Sequence, residues 1–128
     1  MKNLTPSDLV GFCGSENWYK HMFGMLYTDG IHFVAEQAGA YWLIDVVASY
    51  QPKMRKNPGL RDFQLWNVKI DPENPSGCIV TMRDDSGEGS SEFVRQVIEY
   101  TDFPLVNFGD EGFGFYVENN VMLLKGEH

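Results

Sequence analysis

The stretch Ala40-Tyr41-Trp42-Leu43-Ile44-Asp45-Val46-Val47-Ala48-Ser49-Tyr50 decides how this chain is read. It is apolar almost all round, which marks a buried central helix and not a surface one. Its β-branched residues leave a strand open as the alternative. Gln51-Pro52 closes it, because proline disfavours helix in the residue before it. Moving upstream, the spacing predicts helix from Ile31 to about Glu36, with Gly39 as a break. Leu26-Tyr27-Thr28-Asp29-Gly30 reads as an extended piece ending in a turn at Gly30. Ser15-Glu16 offers a helix start leading into one or two turns through Trp18-Tyr19-Lys20-His21. Thr5-Pro6-Ser7-Asp8 offers another: Thr5 can cap free amides, Pro6 fits the first helical position and Asp8 suits the positive end of the dipole.

Moving downstream, residues 52–62 read as a loop carrying Lys53, Arg55, Lys56 and Arg61, the one basic cluster of the sequence. After it the apolar period changes to two. Strands are expected over Phe63–Ile70, Cys78–Arg83, Glu92–Tyr100, Gly114–Val117 and Val121–Lys125, separated by turn-rich segments at 71–77 and 84–89. Glu118-Asn119-Asn120 closes a hairpin, since asparagine tolerates left-handed angles. The expected fold is α+β: N-terminal helices packed on a C-terminal antiparallel meander of four or five strands, in a single domain over residues 1–128. Its core should include Leu43, Ile44, Val47, Trp66, Val80, Ile98 and Tyr116.

Composition narrows the function classes. At 128 residues, 43% hydrophobic and 14% aromatic, the chain can bury a core. No apolar run approaches the ~20 residues of a membrane helix, and the first residues lack a secretory signal, so no membrane role is expected. Cys13 and Cys78 suit neither a disulfide framework nor a metal motif, and a cytoplasmic location is the simplest setting. The net charge of −8 is unevenly placed. Residues 1–63 hold six acids and six bases; residues 64–128 hold twelve acids against Lys69, Arg83, Arg95 and Lys125. An acidic second half argues against direct nucleic-acid binding. It serves solubility, or a working acidic surface at Asp84, Asp85 and Glu88. Another protein is then the expected partner, with no cofactor and no metal; oligomeric state is left open.

Several strings occur together: Phe12-Cys13-Gly14-Ser15-Glu16-Asn17-Trp18-Tyr19-Lys20-His21, Leu26 to Gly30, Ala35 to Asp45, Ala48-Ser49-Tyr50-Gln51, Phe63-Gln64-Leu65-Trp66, and Glu99-Tyr100-Thr101-Asp102-Phe103-Pro104-Leu105. On these the chain resembles a small bacterial family, also found on phages and plasmids, classified only as a domain of unknown function. The resemblance covers nearly the whole chain and departs from the family's usual brevity at residues 106–114. It transfers no catalytic residue. It implies an intracellular bacterial or viral setting, often on mobile DNA.

The first half concentrates ionisable groups beside aromatics. His32 and Glu36 stand four apart and share a helix face; with Asp29 they form either an acid/base or metal-binding group, or an ordinary exposed pair beside a turn. Asp45, inside the apolar stretch, is either a general base or an acceptor for tryptophan and tyrosine donors. Cys13 and His21 lack a spacing that would make them nucleophile and base. Gly109-Asp110-Glu111-Gly112-Phe113-Gly114 is glycine-rich but acidic, and no lysine follows to hold phosphate. Two functions compete: a non-enzymatic protein-binding, inhibitory or anti-defence factor, and a small hydrolase or small-molecule binder using Asp29, His32, Glu36 and Asp45.

Overall fold

A computed structural model describes residues 4–84 and 90–127 of the chain. Its elements are strands β1 (Trp18–Lys20) and β2 (Leu26–Thr28), helices α1 (Asp29–Ala38), α2 (Tyr41–Met54) and α3 (Pro58–Asp62), and strands β3 (Phe63–Asp71), β4 (Asn74–Arg83), β5 (Glu92–Ile98), β6 (Phe113–Glu118) and β7 (Val121–Leu124). The fold is α+β, but the sheet has seven strands in the order β1-β2-β7-β6-β3-β4-β5. The expected four- or five-strand meander is therefore incomplete in two ways. Two strands come from the first half, and β2 runs parallel to β7 while every other pair is antiparallel.

Trp18 to Lys20 form a strand and not the expected helical turns, because Tyr19 pairs with Tyr27 across a hairpin closed by residues 21–25. Three residues are too few to show a period, so local pattern did not separate β1 from helix, whereas Leu26 to Thr28 of β2 is extended as expected. Gly30 belongs to the first turn of α1. There the Thr28 hydroxyl accepts from the Ile31 amide at 3.4 Å. Glu127 adds a second cap, accepting from Thr28 Oγ1 (2.6 Å), Gly30 N (3.2 Å) and Leu124 N (3.0 Å). A carboxylate at a helix N-terminus meets both free amides and the positive end of the dipole. Gly39 ends α1 in the left-handed region, φ 61°, a C-terminal role for which glycine is favoured.

The decisive stretch is a helix, but not one buried all round. Along α2, Leu43, Ile44, Val47, Ala48 and Gln51 are buried while Tyr41, Asp45 and Ser49 are exposed. One face covers the sheet and the other meets solvent. The helix also continues through Pro52 to Met54, and the segment expected as a loop over 52–62 is its last turn plus α3. Asn57 caps α3, accepting from the amides of Gly59 and Leu60.

In β3, β4 and β6, alternate residues are buried against the helices: Gln64, Trp66 and Val68; Cys78, Val80 and Met82; Phe113, Phe115 and Val117. Leu43, Ile44, Val47, Trp66 and Val80 are core as expected. Ile98 and Tyr116 are not: both are only half-buried. Tyr116 alternates with Phe115 and Val117, so it falls on the opposite face of the sheet. The Glu118–Val121 turn holds Asn119 and Asn120 at φ 49° and 71°, as a two-residue hairpin requires.

Between helix and sheet lies a closed polar knot. Gln51 and Gln64 exchange amide hydrogen bonds at 2.9 Å each. Gln51 Nε2 also donates to Val47 O, Gln64 Nε2 to Leu60 O, and Trp66 Nε1 to Gln64 Oε1. Both glutamines are 1% exposed, so each polar atom has to find its partner within the protein.

Candidate functional site

Two surfaces hold chemistry-bearing side chains. The first lies where the β1–β2 hairpin meets α1 and α2. Asp29 Oδ2 accepts from the backbone amides of Glu16 (3.0 Å) and Asn17 (3.2 Å), and Oδ1 accepts from Tyr19 Oη (3.2 Å). These bonds, the Glu16 amide first, hold its carboxyl below the usual value of 3.8. The Tyr19 ring stacks on His32 at 4.3 Å between centroids, nearly parallel. His32 Nε2 stands 3.6 Å from Glu36 Oε1, and Glu36 Oε1 accepts a hydrogen bond from Tyr41 Oη. That bond, more than burial, pushes the Tyr41 phenol up to about 12. Tyr27 is raised by burial first, then by the negative charges of Glu36 and Asp45.

The structure thus brings His32 and Glu36 together and links Asp29 to them through Tyr19. Asp45 is the correction. The apolar stretch suggested burial, but its side chain is 71% exposed and accepts from no tryptophan or tyrosine. It meets His21 Nε2 at 2.7 Å instead. The His21 ring is only 10% exposed, and its Nδ1 accepts the Phe23 amide at 3.1 Å. Nδ1 must therefore keep its lone pair, which leaves the proton of the neutral ring on Nε2, facing Asp45. A ring held at both nitrogens orients the hairpin on α2; it has no free nitrogen to exchange a proton with a ligand. Among the described residues, no group of three or more histidine, cysteine, aspartate and glutamate side chains could hold a metal ion. Cys13 is exposed; Cys78 is buried, and burial pushes its thiol up to about 11.

Of the acidic turn, Asp84 is exposed and accepts from the Ser91 amide at 2.9 Å; Asp85 and Glu88 lie outside the described residues. The basic cluster is partly tied down. Arg55 donates to Asn120 Oδ1 at 2.9 Å and to Phe23 O at 3.4 Å, joining α2 to both hairpins.

The second surface is the sheet face turned away from the helices. It forms a groove of about 600 Å³ lined by Leu65, Asn67 and Lys69 of β3, Ile79, Thr81 and Arg83 of β4, and Glu92 and Arg95 of β5, with Ile70, Pro72, Glu111 and Lys125 at its ends. All four bases of residues 64–128 line it; of the described acids in that half, Glu92 and Glu111 do. Arg95 makes a two-pronged pair with Glu92, both bonds 3.0 Å, and Arg83 reaches Ser90 Oγ at 3.2 Å. Lys125 lies over the Tyr116 ring, 5.9 Å from its centre. Asn67 donates to Glu111 O at 2.9 Å, and its Oδ1 is buried without a hydrogen-bond partner among the described residues.

The chain's relationship follows from a comparison of its sequence with known families: the model of a family of unknown function, DUF6876, matches residues 3–128. The chain belongs to that family. The DUF6876 match runs from before the first helical turn to the end of the sequence, so both surfaces fall within it. Neither a curated protein nor a solved structure matches the chain. Among the described residues, no helix is long and apolar enough to cross a membrane.

The groove is the surface that sequence reasoning missed. Its signal was present: in a half dominated by acids, Lys69, Arg83 and Arg95 all occupy strand positions out of phase with the buried residues. Counting charge along the chain averaged that signal away, because the acids lie chiefly in turns and the bases on one face.

Proposed function

We propose that this protein is a non-enzymatic binding protein whose partner is another protein. The observation that carries this is the uncovered face of the sheet. Helices α1 and α2 bury one side of it, while the other offers half-buried Leu65 and Ile79 beside charged side chains in an open groove. Apolar side chains set among polar and charged ones are usual in protein–protein contacts. A setting on bacterial chromosomes, phages and plasmids, which the family resemblance implies, supports an accessory or anti-defence role. Asp84 is exposed, and its charge, with those of Asp85 and Glu88 close to it in the sequence, can steer encounter.

The hydrolase alternative has less support. His32 and Glu36 do meet, but Asp29 is committed to two backbone amides and a tyrosine, and Asp45 is solvent-exposed and pairs with His21 instead of joining them. The test is affinity purification from the native host, followed by reconstitution with the purified co-isolated protein. A stable one-to-one complex that associates more slowly as salt rises is the expected result. Absence of any protein partner after cross-linking, or turnover of a small substrate that His32→Ala abolishes, would reverse the reading.

A further inference from the structure

We infer that the sheet groove recognises an extended acidic segment of the partner protein, with two carboxylates four residues apart reaching Lys125 and Arg95. This rests on the reading of the protein as a binding module and names the chemistry of its ligand. The register places Gly114, Asn67, Thr81 and Arg95 side by side across β6, β3, β4 and β5. That row is a trough of small and polar residues. Gly114 has no side chain, and the Lys125 ammonium occupies the space: a Cβ at Gly114 would stand 2.8 Å from Nζ. A cation therefore sits at each end of the trough, separated by three strand spacings, about 14 Å. No single carboxylate or phosphate spans that distance.

An extended peptide does. Its residues i and i+4 point to the same side and lie about 13 Å apart. Between them, residue i+2 faces Asn67 and Thr81, and Leu65 and Ile79 flank the trough as apolar shoulders. Among the described residues Asn67 Oδ1 is an acceptor without a donor, and a main-chain N–H of the segment supplies one. It is closed to water in the free protein, so the donor reaches it only as the rim side chains part. Lys69 and Lys125 have no carboxylate within ion-pair distance among the described residues. Arg95 does have Glu92, but its side chain is 56% exposed, and an exposed pair of this kind holds weakly enough to exchange for another carboxylate. The lining offers no aromatic side chain for bases to stack on, so single-stranded nucleic acid fits it poorly.

The test uses the full chain and a display library of unstructured ten-residue peptides carrying two glutamates separated by two, four or six positions. Enrichment of the four-residue spacing is expected, with affinity falling as salt rises. Lys125→Glu and Arg95→Glu should each weaken the selected peptide about tenfold or more, since each removes an attraction and adds a repulsion. Lys53→Glu, on α2, should leave it unchanged, and thermal melts of all three variants check folding. Enrichment blind to spacing or charge overturns the inference, as does no enrichment, or equal affinity for a free dicarboxylate or a short oligonucleotide. If a native partner binds and ignores both groove reversals, this inference fails while the protein-binding reading stands. If no protein partner exists, the broader reading falls first.

Discussion

At the scale of single residues, side chains that looked alike in the sequence do different work. Asp29 and Asp45 both suggested catalysis. Asp29 is an acceptor for three donors, and its lowered folded pKa sets a definite pH signature. Such a group adds stability that is complete above the ordinary carboxylate value of 3.8 and is lost as pH falls through the lowered folded value. Asp29→Asn should therefore be less stable than the parent at pH 7, and the gap should close in denaturant titrations taken progressively below pH 4. A gap that persists at pH 2 would mean that geometry, not charge, is what Asp29 contributes. Asp45 is solvated, and solvent can replace it at His21. Asp45→Ala should cost about 1 kcal/mol or less, the net worth of one hydrogen bond whose acceptor is solvated; a loss above about 2 kcal/mol by urea denaturation would contradict the exposed placement. The sequence could show that Asp45 sits in an apolar run, but not that every fourth residue of that run, Tyr41, Asp45 and Ser49, faces water. That depends on the helix lying against a sheet on one side only.

At the scale of elements, periodicity was readable where elements are long and lost where they are short. Helix α2 and strands β3, β5, β6 and β7 lie close to their expected spans, because the longer ones carry enough of a pattern to name its period and the Asn119-Asn120 turn marks the short β7; β4 instead begins at Asn74, within the segment expected as a turn. β1, at three residues, exists through its partner and left no local trace; β2, equally short, read as extended but not as part of the sheet. Pro52 misled in a physical way: one missing amide in a last turn costs little when Gln51 is anchored to Gln64 across the core. That glutamine pair yields a cycle experiment. Gln64→Leu strands the Trp66 indole and the Gln51 amide in a site without water, and each buried orphan costs about 1–3 kcal/mol. Gln51→Leu strands fewer groups and should cost less. The double variant should cost less than the sum of the two singles, since removing both partners leaves fewer orphans. Strict additivity in chemical denaturation would show that the two amides do not interact.

At the scale of the whole molecule, β3 lies third from one edge of the sheet and pairs on both sides, and three of its side chains are fully buried or nearly so. Its amides should exchange with solvent only on global unfolding, whereas β1, an outer strand of three residues, should exchange through local opening. Hydrogen exchange giving β1 protection equal to that of β3 would contradict this order. The parallel pairing of Leu26 with Val121 also has a consequence in time. During synthesis the β1–β2 hairpin leaves the ribosome before any of β3 to β6, yet the strand it must lie beside follows all of them. A lone two-stranded hairpin is marginal in water. Until β7 arrives, Tyr19 and Tyr27 have no sheet to join, and Glu127 is not there to cap α1. The region carrying His32 and Glu36 is thus translated before β3, β4 and β5 but finished after them, so a stalled nascent chain should hold a β3–β4–β5 meander long before it holds that surface.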